Sequence, residues 1–163
     1  MKNFLFYGVL FILSLSLVSC STDDDDNNPN NNAAEISQVE AAAETGTWRI
    51  TSYVDSGEDE TNDFNGFDFT FETNGTVTAT NGVTTYAGTW SVTGDSSSSN
   101  DDDDGSNDSD LDFNISFPVA ATDDFEDLND DWDIVSYTDN TINLVDVDDD
   151  NPNDTETLVF QRN

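Results

Sequence analysis

The chain has 163 residues, of which 36 are acidic and 3 are basic, so its formal net charge near pH 7 is −33. A surface this acidic repels nucleic acid and anionic lipid head groups, which excludes nucleic-acid-binding and basic membrane-surface proteins. There is no histidine and a single cysteine, so the usual catalytic sets are missing and a disulfide within one chain is impossible. We therefore expect a non-catalytic protein whose partners are cations, basic proteins or neutral molecules.

The amino terminus has the layout of a secretory signal. An apolar run from Phe4 to Val18 follows Lys2 and ends on small residues, and it is shorter than the about 20 residues of a spanning helix. We predict a signal peptide over residues 1–19, with an uncleaved anchor as the alternative. The stretch Leu17-Val18-Ser19-Cys20 resembles the bacterial lipobox, which implies cleavage before Cys20 and acylation of its thiol with chains such as palmitate.

An acidic, asparagine-rich segment follows this cysteine. Residues 20–33 are too polar to form a core, and they predict a disordered tether. Ser21 to Asp26 resembles the acidic export signal of flavobacterial surface lipoproteins, and the resemblance implies an outer-membrane lipoprotein exposed at the cell surface. A solvated spacer is the alternative.

Residues 34–163 are enough for one domain with one core. Ser37 to Glu44 predicts a short helix that begins with a capping box at Ser37 and Glu40. From Thr47 onward apolar and polar residues alternate, and turn signals such as Asn74-Gly75 and Asn81-Gly82 separate the runs. The pattern predicts eight strands, at residues 47–54, 66–72, 76–80, 84–92, 111–117, 132–138, 141–147 and 155–162.

Eight sequential antiparallel strands favour an all-β, up-and-down barrel, because closing the sheet removes the exposed edges that promote aggregation. An open sandwich is the structural alternative. The segment 95–110 contains no apolar residue and predicts a disordered acidic insertion between two strands. Residues 119–131 form a second irregular connection, with one helical turn expected around Phe125 and Leu128.

Gly46-Thr47-Trp48 before the first strand and Arg162 near the end of the last resemble the Gly-x-Trp signature and closing arginine of lipocalins, especially the lipocalin-like domains of Bacteroidetes lipoproteins. The resemblance implies that Arg162 packs across Trp48 and closes one end of the barrel. It also implies a small, largely apolar ligand. The candidate lining residues are Phe67, Phe69, Phe71, Tyr86, Trp90 and Phe113. The alternative is a structural or interaction protein whose barrel is filled by these same rings.

No cofactor is expected, and weak calcium binding is the metal chemistry that the acidic loops suggest. The candidate ligands are Asp102, Asp104 and Asp108 in one loop, and Asp146, Asp148 and Asp150 in another. The first loop copies half of an EF-hand, but Leu111 stands where a bidentate glutamate is required. Extracellular sites of this kind hold calcium at about 10⁻⁴ to 10⁻³ M, and solvated acidic loops are the alternative.

Overall fold

The computed structural model describes residues 29–94, 111–147 and 155–163. In these ranges the chain forms a helix and a nine-stranded sheet, eight strands of which close into an antiparallel barrel. The elements are α1 (Pro29–Ala43), β1 (Trp48–Asp55), β2 (Glu58–Asp59), β3 (Asp68–Phe71), β4 (Thr76–Thr80), β5 (Thr85–Gly94), β6 (Leu111–Ser116), β7 (Asp130–Tyr137), β8 (Thr141–Val147) and β9 (Thr155–Arg162). The predicted fold class is confirmed.

The barrel closes through β1, which pairs with the last strand as well as with its own neighbours. Trp48 lies opposite Arg162 of β9 and opposite Phe69 of β3, and β3 to β9 pair in chain order. Every barrel strand therefore has two partners, and the open sandwich is wrong. The unpredicted β2 folds back on the end of β1 and has only two residues, too few for an alternating pattern.

The two ends of the barrel differ in what covers them. At one end, here called the base, the start of β1 meets the end of β9. At the other end, here called the mouth, the end of β1 meets the start of β9, and the connection between β6 and β7 begins and ends there.

A bulge in β1 changes which side chains face the interior. Strict alternation puts Trp48 and Ile50 inside and Tyr53 outside, yet Tyr53 is fully buried. The register against β9 shifts between Ile50 and Ser52, and one extra residue in a strand exchanges the two faces beyond it. The predicted outward position of Tyr53 is therefore wrong.

Helix α1 begins at Pro29, before the expected domain boundary at residue 34, and proline suits the first turn of a helix. Ser37 consequently lies inside the helix, where its hydroxyl donates to the carbonyl of Ala33 over 3.0 Å. The predicted capping box is wrong for that reason. Val39 and Ala43, on one face of α1, are buried in the core.

The β3–β4 hairpin has a longer turn than its Asn-Gly pair predicts. Gly75 has a φ of 79°, but the φ of Asn74 is not positive, so this is not the two-residue turn in which both central residues are left-handed. The Asn74 side-chain oxygen instead accepts the backbone N–H of Thr76 over 2.9 Å, and Gly75 N–H donates to the carbonyl of Glu72. Asparagine competes for local backbone donors in this way, which lengthens the turn to residues 72–75.

Candidate functional site

Trp48 and Arg162 close the base and fasten α1 to it. The indole Nε1 donates to the carbonyl of Ala43 over 2.8 Å, Arg162 Nη2 donates to the carbonyl of Ala42 over 3.2 Å, and the Arg162 Cζ atom lies 5.1 Å from the indole ring. Both carbonyls belong to the end of α1, where the helix dipole favours a cation. Gly46 has a φ of 82°, and a Cβ there would lie 3.4 Å from Arg162 Cδ. Glycine thus suits both the backbone turn and the close approach of the arginine.

Three of the six candidate ligand residues pack against each other deep in the barrel. The ring of Phe71 lies 5.2 Å from that of Trp90 and 5.3 Å from that of Phe113, and Trp90 stacks on Phe113 at 5.6 Å. The Trp90 Nε1 donates to the carbonyl of Glu72 over 3.0 Å. Phe160 of β9 completes this group, here called the deep ring cluster. The rings of this cluster pack against one another.

The other three candidates surround a residue that belongs to no strand. Phe67, Phe69 and Tyr86 lie 5.0, 6.0 and 4.0 Å, centroid to centroid, from the ring of Phe125, and Tyr86 stacks on it. The set that contacts Phe125, here called the mouth rings, consists of Phe64, Phe67, Phe69, Tyr86 and Phe117. Phe125 itself is 2% exposed. The space between the mouth rings is therefore filled by a side chain from a connection.

That connection, residues 117–129, crosses the mouth and is here called the strap. Its two ends are joined by Asn129, whose side-chain amide accepts the backbone N–H of Phe117 and donates to the Phe117 carbonyl. The expected helical turn is present as a short 3₁₀ segment, Glu126–Leu128, and both Phe125 and Leu128 are buried. The sequence did not indicate that Phe125 enters the barrel.

Four carboxylates stand on the strand ends around the mouth and are here called the acidic rim. Glu156 of β9 lies directly opposite Asp55 of β1 and Asp146 of β8, and Asp130 of β7 is close enough to interact with Glu156 electrostatically. Tyr53 lies behind them, and its hydroxyl is 3.1 Å from Glu156 Oε2 and 3.3 Å from the carbonyl of Asp127 in the strap. The acidic rim and the strap thus share the Tyr53 hydroxyl.

Burial raises the pKa values of two carboxyl groups in the acidic rim. Burial raises the pKa of Glu156 to about 7, partly opposed by the hydrogen bond from Tyr53 and reinforced by the charges of Asp55, Asp130 and Asp146. Burial also raises the pKa of Asp130 to about 6, against the opposing backbone hydrogen bond from the next residue. Two carboxyl groups at the mouth therefore change charge between mildly acidic and neutral pH.

The free energy of unfolding should fall as the pH rises through this range. Glu156 binds its proton more tightly in the folded chain than at its ordinary pKa of 4.5, so between about pH 4.5 and 7 the folded state holds more protons than the unfolded state. Glu156→Gln removes the charge and should stabilise the protein on the order of 1 kcal/mol at about pH 8, a value that allows for the partial exposure of the side chain. Urea unfolding from about pH 4 to 8 measures the effect.

Glu35→Gln, an exposed position on α1, provides the matched control for this charge removal. We expect the Glu156 variant to differ from the wild type only above about pH 4.5, and the Glu35 variant shows what the loss of one exposed carboxylate does by itself. A Glu156 variant that is equally destabilised at every pH would mean that the side chain acts through packing and not through its charge.

The remaining expected sites lie elsewhere or outside the described residues. Cys20 and five of the six calcium candidates, Asp102, Asp104, Asp108, Asp148 and Asp150, fall outside the described ranges, whereas Asp146 belongs to the acidic rim. Within the described ranges, no group of three or more potential ligand side chains is arranged to hold a metal ion. No helix of the described chain has the length and apolar character needed to cross a membrane.

A surface depression of ≈ 380 Å³ lies over β5, β6 and the start of β7. Its lining surface is about equally polar and apolar, and it includes Asn129 of the strap and Asp130 of the acidic rim. Of the six candidate ligand residues it contains only Trp90. The depression is therefore distinct from the space between the mouth rings.

No family model and no curated protein matches the sequence. Among solved structures, the chain is similar to the crystal structure of a DUF4847 family protein from Bacteroides vulgatus, with 19% sequence identity and a TM-score of 0.46. The match covers 77% of this chain and 97% of that chain. The fold class is established by the strand pairing of the chain itself.

Proposed function

We propose that the chain is a non-catalytic, lipid-anchored protein of the outer-membrane surface whose barrel mouth binds a small, largely apolar molecule. The observation that carries the binding proposal is the position of Phe125, a connection residue that fills the space between aromatic side chains of the barrel and its loops. Sites for small molecules are concave and are lined mainly by apolar and aromatic side chains. The mouth rings form such a lining around Phe125, which the strap supplies.

A binding role accounts for the acidic rim better than an acid-base reaction does. Carboxyl groups with raised pKa values are often catalytic, but the Glu156 carboxylate is hydrogen-bonded to Tyr53, which also contacts the strap. The sequence contains no histidine, and the lone thiol of Cys20 is assigned to the lipid. We therefore propose that the acidic rim helps to position the strap through the Tyr53 hydroxyl.

A second function is favoured by the deep ring cluster. Phe71, Trp90 and Phe113 fill the lower barrel with their own contacts, as expected of a rigid scaffold that displays acidic loops to a surface partner.

Benzyl alcohol, a neutral single-ring molecule, separates the two functions. The full chain, with its amino terminus as the cell processes it, is held in lipid nanodiscs and titrated while aromatic resonances are followed by NMR, with empty nanodiscs as the blank. We expect saturable shifts at Phe67 and Tyr86, with a Kd on the order of 0.1–1 mM for so small a ligand. Shifts that only grow linearly, or that match the blank, would support the scaffold function instead.

The membrane anchor has an independent test. Mass spectrometry of the mature protein should find acyl chains on Cys20, and protease added to intact cells should digest the wild-type domain. Cys20→Ala removes the lipid attachment point, so the variant should leave the membrane fraction, because acyl chains supply about 0.8 kcal/mol of membrane affinity per buried methylene. Processing and fractionation like those of the wild type would exclude a lipid anchor.

A further inference from the structure

We infer that the strap is a hinged plug, that a ligand with one apolar ring displaces Phe125 from between the mouth rings, and that this ligand is neutral or cationic. The inference rests on the proposed function, since it names the entry route and ligand class of the same site. Three features of the structure support it: how the strap is attached, what Phe125 occupies, and which charges surround the mouth.

The strap can move without breaking the barrel sheet. Five of its backbone hydrogen bonds join its own residues, for example Val119 N–H to the Phe117 carbonyl and Glu126 N–H to the Asp123 carbonyl. The Asn129 amide also joins the two ends, which gives the strap the closed outline of an Ω-loop. Segments held mainly by internal hydrogen bonds open at a lower free energy than paired strands.

Few polar contacts hold the middle of the strap over the mouth. The hydroxyl of Tyr53 contacts the carbonyl of Asp127 over 3.3 Å, and the hydroxyl of Tyr86 donates to Asp123 Oδ2 over 3.3 Å. A third contact, from Trp132 Nε1 to the Leu128 carbonyl, lies next to the Asn129 hinge. The first two are long, exchangeable hydrogen bonds, and water can replace them when the strap swings outward.

Phe125 defines the size and shape of the ligand. It occupies a space the size of one benzyl group, stacked on Tyr86 and edge-on to Phe67 and Phe117. A ligand ring in the same place would recover these contacts, so the exchange costs mainly the exposure of Phe125 and of Leu128, the other buried side chain of this part of the strap. The Phe125 side chain therefore already fills the space between the mouth rings, and a ligand must compete with it.

The charges at the mouth select among ring compounds. The strap carries Asp123, Asp124, Glu126 and Asp127, and the acidic rim adds four carboxylates beside them. After Lys2 the chain has only two basic residues: Arg49 is paired with Asp68 over 3.3 Å, and Arg162 lies at the base. An anionic ligand finds no counter-charge among the described residues of the mouth, whereas a cation is attracted both by carboxylates and by ring faces.

Three probes that share the benzyl group test the inference on the full chain in nanodiscs: benzyl alcohol, benzylamine and phenylacetate. At low ionic strength we expect benzyl alcohol and benzylamine to bind at least about tenfold more tightly than phenylacetate, and salt should reduce the difference between the two charged probes. Hydrogen exchange of residues 118–128 should accelerate when benzyl alcohol or benzylamine binds, because the strap leaves the mouth.

Phe125→Ala removes the internal competitor and should bind benzyl alcohol about tenfold more tightly than the wild type does, without further acceleration of hydrogen exchange in the strap. Asn129→Ala loosens the hinge while keeping the ring, so it serves if the first variant does not fold, and it should raise the apparent affinity about threefold. Tyr137→Phe, which removes a tyrosine hydroxyl at the base end of β7, is the matched control and should bind like the wild type.

The outcomes separate this inference from the proposed function. If benzyl alcohol saturates the wild type with no change in strap exchange, or if phenylacetate binds as tightly as benzylamine, the mouth binds ligands but the displaced plug or the charge selection is wrong. If only Phe125→Ala binds a probe, the site is an engineered cavity and the plug does not open in the native protein. If none of the probes binds any variant, the proposed binding function fails as well.

Discussion

Trp48→Ala should lower the free energy of unfolding by about 3–5 kcal/mol, a large part of the stability of a domain of this size. The indole is fully buried at the base, and its loss leaves a cavity and removes the hydrogen bond to the Ala43 carbonyl. It also leaves the Arg162 guanidinium, whose Nε has no hydrogen-bond partner in the described structure, without the ring beneath it. Urea unfolding followed by circular dichroism measures the change.

Arg162→Met separates the cation from the packing of its stem. This variant should cost about 1–2 kcal/mol, because it removes the contact with the indole face and the hydrogen bond to the Ala42 carbonyl but keeps an apolar chain beside Gly46. In a double-mutant cycle with Trp48→Ala the two changes should be coupled by at least about 0.5 kcal/mol. Strict additivity, or a loss below about 1 kcal/mol for Trp48→Ala, would show that the pair does not close the base.

The strands could be predicted from sequence because local pattern and global fold agree along most of the barrel. Phe67, Phe69 and Phe71 alternate with polar residues, and such a period of two has few other interpretations. Alternation cannot reveal a bulge, however, because the position of the extra residue depends on the pairing with β9 and not on the type of its side chain. For this reason strict alternation puts Tyr53, which supports the acidic rim, on the wrong face of β1.

The candidate site was only half visible in the sequence. The rings on strands were found because their periodicity marks them as inward-facing, but Phe125 lies in an aperiodic, acidic connection that reads as solvent-exposed. A lone aromatic residue with acidic residues on both sides of it was the available signal. The acidic rim could not be predicted without the register of the strands, since Glu156 and Asp55 are far apart in the chain and meet only where β9 pairs with β1.

Replacement of Gly88 in β5 should lower the free energy of unfolding more than most other substitutions in the barrel. A Cβ at this position would lie 2.2 Å from the carbonyl oxygen of Ser116 and 2.9 Å from Cδ1 of Phe117, and the first of these atoms is backbone. The φ of Gly88 is not in the left-handed region, so alanine fits the backbone and would even reduce the entropy of the unfolded chain. The expected loss on Gly88→Ala, about 3 kcal/mol or more, therefore comes from the contact alone.

Ala87→Thr, one residue earlier, adds a larger side chain on the exposed face of β5 and should change stability by no more than about 0.5 kcal/mol. Because Phe117 begins the strap, a folded Gly88→Ala protein should also show faster hydrogen exchange over residues 118–128, whereas Ala87→Thr should not. A Gly88 variant as stable as the wild type would mean that β5 and β6 separate easily at Ser116. Phe117, where the strap begins, would then lie beside a strand pair that separates easily, and the strap could open without a hinge at Asn129.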